Sequence, residues 1–236
     1  MTSPVRGDGL RQLLCLGILA FVLIVIWQPP AIAADLVDLL GQGKVEVQVV
    51  GSDIQTVTVR IRPTGSEPLS VDINAGTFFE SSNSGAQNMV GVSPEAVRLS
   101  GRGWTTLTVA AACASRPRDI PTESDRFAVK RLPEKSELAI AARAISAAHV
   151  PIGVRQAAVW IISDNADYDD LGELVESTNG SAYGGTRVIQ ETEAARAMQI
   201  LDQAGINVRA KRIWRDRNTI VKGVNDSTLA AWLRTK

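Results

Sequence analysis

The sequence predicts an α+β protein: an N-terminal antiparallel β-sandwich of immunoglobulin-like type, followed by a compact all-α subdomain. Two rhythms in succession predict it. Between Lys44 and Val109 apolar residues recur at every second position, and beyond Pro133 they recur at every third or fourth. The strand-like half has turn signals at regular spacing and no helical interludes, the pattern of a sandwich.

The chain opens differently. Arg6 and Arg11 precede an apolar run over residues 13–27, and Gln28-Pro29-Pro30 breaks it before Ala31-Ile32-Ala33. This order of basic, apolar and small-residue regions reads as a secretory signal peptide over residues 1–33, with cleavage after Ala33. The run is shorter than the roughly 20 residues of a spanning helix, and an uncleaved N-terminal membrane anchor is the alternative. The expected location is therefore extracytoplasmic, periplasmic or secreted. No later apolar stretch reaches spanning length, so no membrane span is expected in the mature chain.

Residues 34–114 form the predicted sandwich. Val45, Val47 and Val49 alternate with polar residues, as do Val57, Val59 and Ile61, then Leu69, Val71 and Ile73; residues 104–109 are a further β-rich run. Gly51-Ser52-Asp53, Pro63-Thr64-Gly65, Asn74-Ala75-Gly76 and Gly101-Arg102-Gly103 supply turns between them. Residues 115–133 hold Pro117, Pro121 and Pro133 among many charges and read as an extended connector.

Residues 134–208 form the helical subdomain. Leu138, Ala141, Ala142, Ile145 and Ala148 make one stripe, and Val154, Ala157, Ala158 and Ile161 a second. Leu171, Leu174 and Val175 suggest a third, and Ala194, Ala195, Met198 and Leu201 a fourth that Gly205 should stop. The glycine-bearing stretch 178–186 reads as a mobile loop. Residues 209–236 form a basic tail, in which Asp226 or Ser227 would cap a last short helix through Leu229, Trp232 and Leu233.

Composition excludes several function classes. The 25 basic and 25 acidic side chains balance, and losing Arg6, Arg11 and Asp8 with the signal changes that by one unit. Such a chain lacks the basic field of a nucleic-acid binder. A single histidine, His149, and one cysteine outside the signal leave no thiolate zinc site, so no metal and no cofactor are predicted. His149 reads as a helix C-cap. The acidic run 164–170 fails the calcium-loop pattern, and Asp167 reads instead as a cap for a helix with Asp169 and Asp170 in its first turn. No Walker loop, dinucleotide fingerprint or nucleophile elbow is present, so no catalytic residues are assigned.

What remains is Cys113, an odd thiol in an exported chain. Downstream, Gln156, Ala158, Val159 and Trp160 spell Gln-x-Ala-Val-Trp. This resembles the glutamine motif of the bacterial thioester domains, secreted surface modules that cross-link a cysteine and a glutamine. In that family the cysteine comes first, on a β-rich portion, and the glutamine lies on a helical one. The resemblance implies a Cys113–Gln156 thioester, with Ala158, Val159 and Trp160 as supporting packing. The plain alternative is a buried structural cysteine, with Trp160 packed between the halves and Gln156 on the helix surface.

The expected role is a non-catalytic, envelope-associated binding module whose partner is an unknown protein or envelope polymer. Its expected contact loop spans residues 78–88, with Phe78, Phe79, Asn83, Gln87 and Asn88 as contact residues. The alternatives are a covalent adhesin-like protein and an extracytoplasmic hydrolase using acids such as Asp119 and Glu123.

Overall fold

The computed structural model describes residues 33–172 and 188–235. Residues 1–32 of the predicted signal, the stripe residues Leu174 and Val175, and the glycine-bearing stretch 178–186 lie outside the described residues.

The strands are β1 (Ala34–Asp35), β2 (Val45–Gly51), β3 (Thr56–Pro63), β4 (Leu69–Ile73), β5 (Thr77–Ser81), β6 (Asn88–Gly91), β7 (Glu95–Leu99), β8 (Thr105–Ala114) and β9 (Arg126–Arg131), with a short helix α1 (Leu36–Gly41) after β1. Six of them close into an antiparallel barrel in the order β2-β3-β8-β6-β5-β9, with β9 returning to β2. The others make a three-stranded mixed sheet, β1-β4-β7, in which β1 runs parallel to β4.

The immunoglobulin-like sandwich with a separate all-α subdomain is therefore incorrect: the principal sheet is a closed barrel. Alternation correctly marks which residues are buried, but it carries no information on which strands pair. Two long-range pairings decide closure. The ten-residue β8 pairs with β3 through residues 105–110 and with β6 through residues 111–114, so it bridges both sides of the barrel. The other is β9, inside the stretch read as a connector; buried Phe127 and Val129 alternate there with exposed Arg126, Ala128 and Lys130.

The β2–β9 seam is short, with Val49 opposite Phe127 and Val50 opposite Arg126. Helix α1 packs against both strands and buries Leu36 and Leu39. Asp35 starts that helix by accepting a hydrogen bond from the Val37 N–H at 2.9 Å. Along one face, Phe79 stands opposite Met89 and Met89 opposite Cys113, all fully buried. Ala112 and Ala114, on the other face of β8, are also buried, because helix α3 lies against that strand.

The helices are α2 (Glu137–Ala148), α3 (Ile152–Ser163), α4 (Glu191–Gln203), α5 (Arg217–Ile220) and α6 (Ser227–Thr235). Ser136 caps α2, and His149 ends it in the left-handed conformation at φ 49°. Gly205, φ +83°, follows the end of α4 as its spacing predicts, and Asp226 caps α6 through the Thr228 and Leu229 N–H groups. Helix α3 packs against both β8 and α4, so nearly all its faces are buried. Barrel and helices thus share one apolar core. The basic run forms 3₁₀ turns with Trp214 buried edge-to-face on Trp232, ring centroids 5.9 Å apart. Among the described residues no helix is long and apolar enough to cross a membrane.

Candidate functional site: the junction of Cys113 and Gln156

The site forms where β8 outruns its neighbour. Ladder pairing with β3 ends at Ala110, and the next residue, Ala111, donates its N–H to the Gln55 carbonyl at 2.7 Å. Two residues on, the main chain of Cys113 finds a side chain in place of a strand. Gln156 Oε1 accepts the Cys113 N–H at 3.0 Å, and Gln156 Nε2 donates to the Cys113 carbonyl at 2.7 Å. A carboxamide carries the same donor and acceptor as a peptide group, so Gln156 prolongs the ladder by one unit. Gln156 is 2 % exposed, so it is not a helix-surface residue.

The thiol is fully buried, and Cys113 Sγ lies 3.3 Å from Met89 Sδ. Burial above all, and then the Asp53 carboxylate, pushes its pKa well up. The resting group is a neutral thiol, which is a weak nucleophile.

Its surroundings are tightly determined. Trp160 Nε1 donates to Gln87 Oε1 at 3.2 Å, and Ala158 and Val159 are fully buried beside it. Ser115, directly after β8, has φ 89°, a strained value for a residue with a side chain. Asp164 at the end of α3 holds it, accepting the N–H groups of Ser115 at 3.2 Å and Arg116 at 3.0 Å. Asn88 Nδ2 donates to the Ser115 hydroxyl at 3.2 Å.

The acidic run is spent on the fold. Asp167 accepts the Asp170 N–H at 3.0 Å, capping a 3₁₀ turn over Asp170–Gly172, where the described residues of this segment end. Arg116 pairs with Asp170 at 2.5 Å, and Arg212 bridges Asp167 and Asp170. Burial raises the Asp167 pKa, but the Asp170 N–H and Arg212 outweigh it and hold the carboxyl below its ordinary value.

The residues predicted from sequence divide clearly. Cys113, Gln156, Trp160, Gln87 and Asn88 meet at this junction. Phe79 belongs to the buried row of the barrel, and Phe78 is half-buried opposite Val90 and Lys130. Asn83 lies apart, donating to Asp125 at 2.8 Å and accepting the Gly85 N–H at 3.0 Å. The side chains of Asn83, Gln87 and Asn88 are thus engaged within the protein, while Ser82 and Ser84 of the same loop are exposed. Asp119 and Glu123 lie on the exposed strap before β9. Sequence reasoning missed Met89, Ser115 and Asp164. Only Asp164 had a signal, its place in an acidic run directly after a helix.

No family model, curated protein or solved structure matches this chain.

Proposed function

We propose that this chain is an exported, non-catalytic binding module that captures its partner covalently, through a thioester between Cys113 and Gln156. One observation carries the reading: the Gln156 carboxamide is docked on Cys113 itself, with Oε1 on the Cys113 N–H. The two residues are 43 positions apart, one on a strand and one on a helix, as in the family whose motif the sequence resembles.

The chemistry balances. Sγ bonds to the carboxamide carbon, the bond from that carbon to Nε2 breaks, and Nε2 leaves as ammonia with the thiol proton. The negative charge that develops on Oε1 meets the Cys113 N–H, already at 3.0 Å. A backbone donor aimed at a developing oxyanion is a principal means of lowering such barriers. Burial then shields the acyl sulfur from water. A partner amine that reaches it forms an amide and returns the thiol, a single event with no turnover.

Intact mass of the secreted protein tests this. The mature chain should be one ammonia lighter than its sequence, should gain one methylamine on incubation with that amine, and should resist thiol alkylation before opening. Full mass with Cys113 alkylated after denaturation would overturn the covalent reading. That result is what a non-covalent module predicts. It is favoured by the Cys113 sulfur facing Met89 and by the hydrogen bonds already made by both polar atoms of Gln156. There, Gln156 is a structural clip between barrel and helix.

A further inference from the structure

A cleft of about 510 Å³ opens where the start of α1, the β4–β5 turn, the end of β9 and α2 meet; Asp35, Asp38, Lys130, Arg131, Glu134 and Arg143 are among the residues lining it. That volume lies within the range typical of small-molecule sites. Three cations and three carboxylates line it, so its formal charge is zero. Such a wall has no net field to gather simple anions or simple cations.

The valences of these groups are unequally spent. Asp35 accepts from Asn74 Nδ2 at 2.7 Å, from the Val37 N–H at 2.9 Å and from Arg131 at 2.6 Å. The same Arg131 nitrogen lies 3.0 Å from Asp38. Asp35 and Arg131 are thus spent on each other, while Asp38 touches Arg131 through a single carboxylate oxygen. Arg143, by contrast, spends one donor on the Glu134 main-chain carbonyl at 2.8 Å and has four left. Lys130 lies 3.9 Å from Glu80, beyond hydrogen-bond reach. Among the described residues the Glu134 carboxylate has no hydrogen bond or ion pair, and Asp38 has only its contact with Arg131.

We propose that this cleft binds a small zwitterion, a short peptide with free termini. Its carboxylate takes the spare donors of Arg143 and Lys130, and its ammonium takes Glu134 and Asp38. A guanidinium fork matches a carboxylate in two parallel hydrogen bonds, which makes Arg143 the anchor. The proposal does not depend on the Cys113–Gln156 chemistry, and either can fail alone.

The test is an NMR titration of the mature protein with alanyl-alanine. Three controls are run at equal concentration: the same dipeptide acetylated and amidated, citrate, and spermidine. Alanyl-alanine should shift resonances of cleft residues at millimolar concentration or below, and the controls should not. Arg143→Gln and Glu134→Gln should each weaken binding roughly tenfold with unchanged melting temperature, since both side chains are exposed. Absence of dipeptide binding would overturn the proposal. So would equal binding of the blocked dipeptide or of either single-sign control, or binding indifferent to both substitutions.

Discussion

Gln156 has one observed role and one proposed role, and they can be separated. It satisfies the main chain of Cys113 in a buried place, and in the covalent reading proposed above its carboxamide also acylates the sulfur. In a Cys113→Ala background only the first role survives, because the strand's N–H and C=O remain. Adding Gln156→Ala should then lower stability in urea unfolding by about 2–4 kcal/mol, the cost of leaving a buried donor and acceptor without partners. A loss under ~0.5 kcal/mol would mean that water or a shifted strand replaces the carboxamide. Ser115 next door makes the same point about strain. Its positive φ is held by Asp164 and Asn88, so the end of β8 is fixed by side chains from two other elements.

Among the elements, β8 and β9 decide the architecture, and both depend on close approaches that a pattern of apolar residues does not record. Gly51 ends β2 just where the strap preceding β9 crosses it. A Cβ there would stand 2.5 Å from the Thr122 carbonyl oxygen and 2.8 Å from Pro121 Cβ. Its N–H donates to the Asp125 carbonyl at 3.1 Å. Gly51→Ala should therefore cost about 1–3 kcal/mol by forcing strand and strap apart. Gly65→Ala, with nothing within 4 Å of its Cβ, serves as the control and should be nearly silent. Equal melting temperatures for the two variants would show that the strap yields without cost.

Acid sensitivity belongs to the molecule as a whole, because three aspartates tie separate parts of it together. Burial raises the pKa of Asp35, but Asn74, Arg131 and the Val37 N–H outweigh it and the net shift is downward. Asp125 is lowered against its own burial by the Thr122 N–H, Asn83 and the Thr122 hydroxyl, and Asp167 by the Asp170 N–H and Arg212. A carboxyl that binds protons more weakly in the folded state stabilises the fold above its unfolded pKa. That contribution is lost as pH falls through the depressed folded value. Stability should therefore be flat near neutrality with respect to these groups and decline below about pH 4. Thermal melts in a pH series check this. Asp125→Asn should flatten the acid limb, and an unchanged acid limb would remove Asp125 from the account.

Residue order alone was enough for local features, because their causes lie within a few positions. The period of two marked the buried faces of β2, β3 and β4. The period near 3.6 located α2, α3 and α4, and Gly205, His149 and Asp226 stood at helix ends for reasons of cap geometry and charge. Cys113 and Gln156 could be named as a pair. Tertiary structure decided what depends on pairing across long separations. It closed a barrel where two stacked sheets were expected, because β9 returns to β2 and β8 spans from β3 to β6. It set two of the expected contact residues, Gln87 and Asn88, against Trp160 and Ser115. It set the carboxamide of Gln156 on the main chain of Cys113, because a strand that outruns its neighbour leaves an N–H and a C=O that must be satisfied.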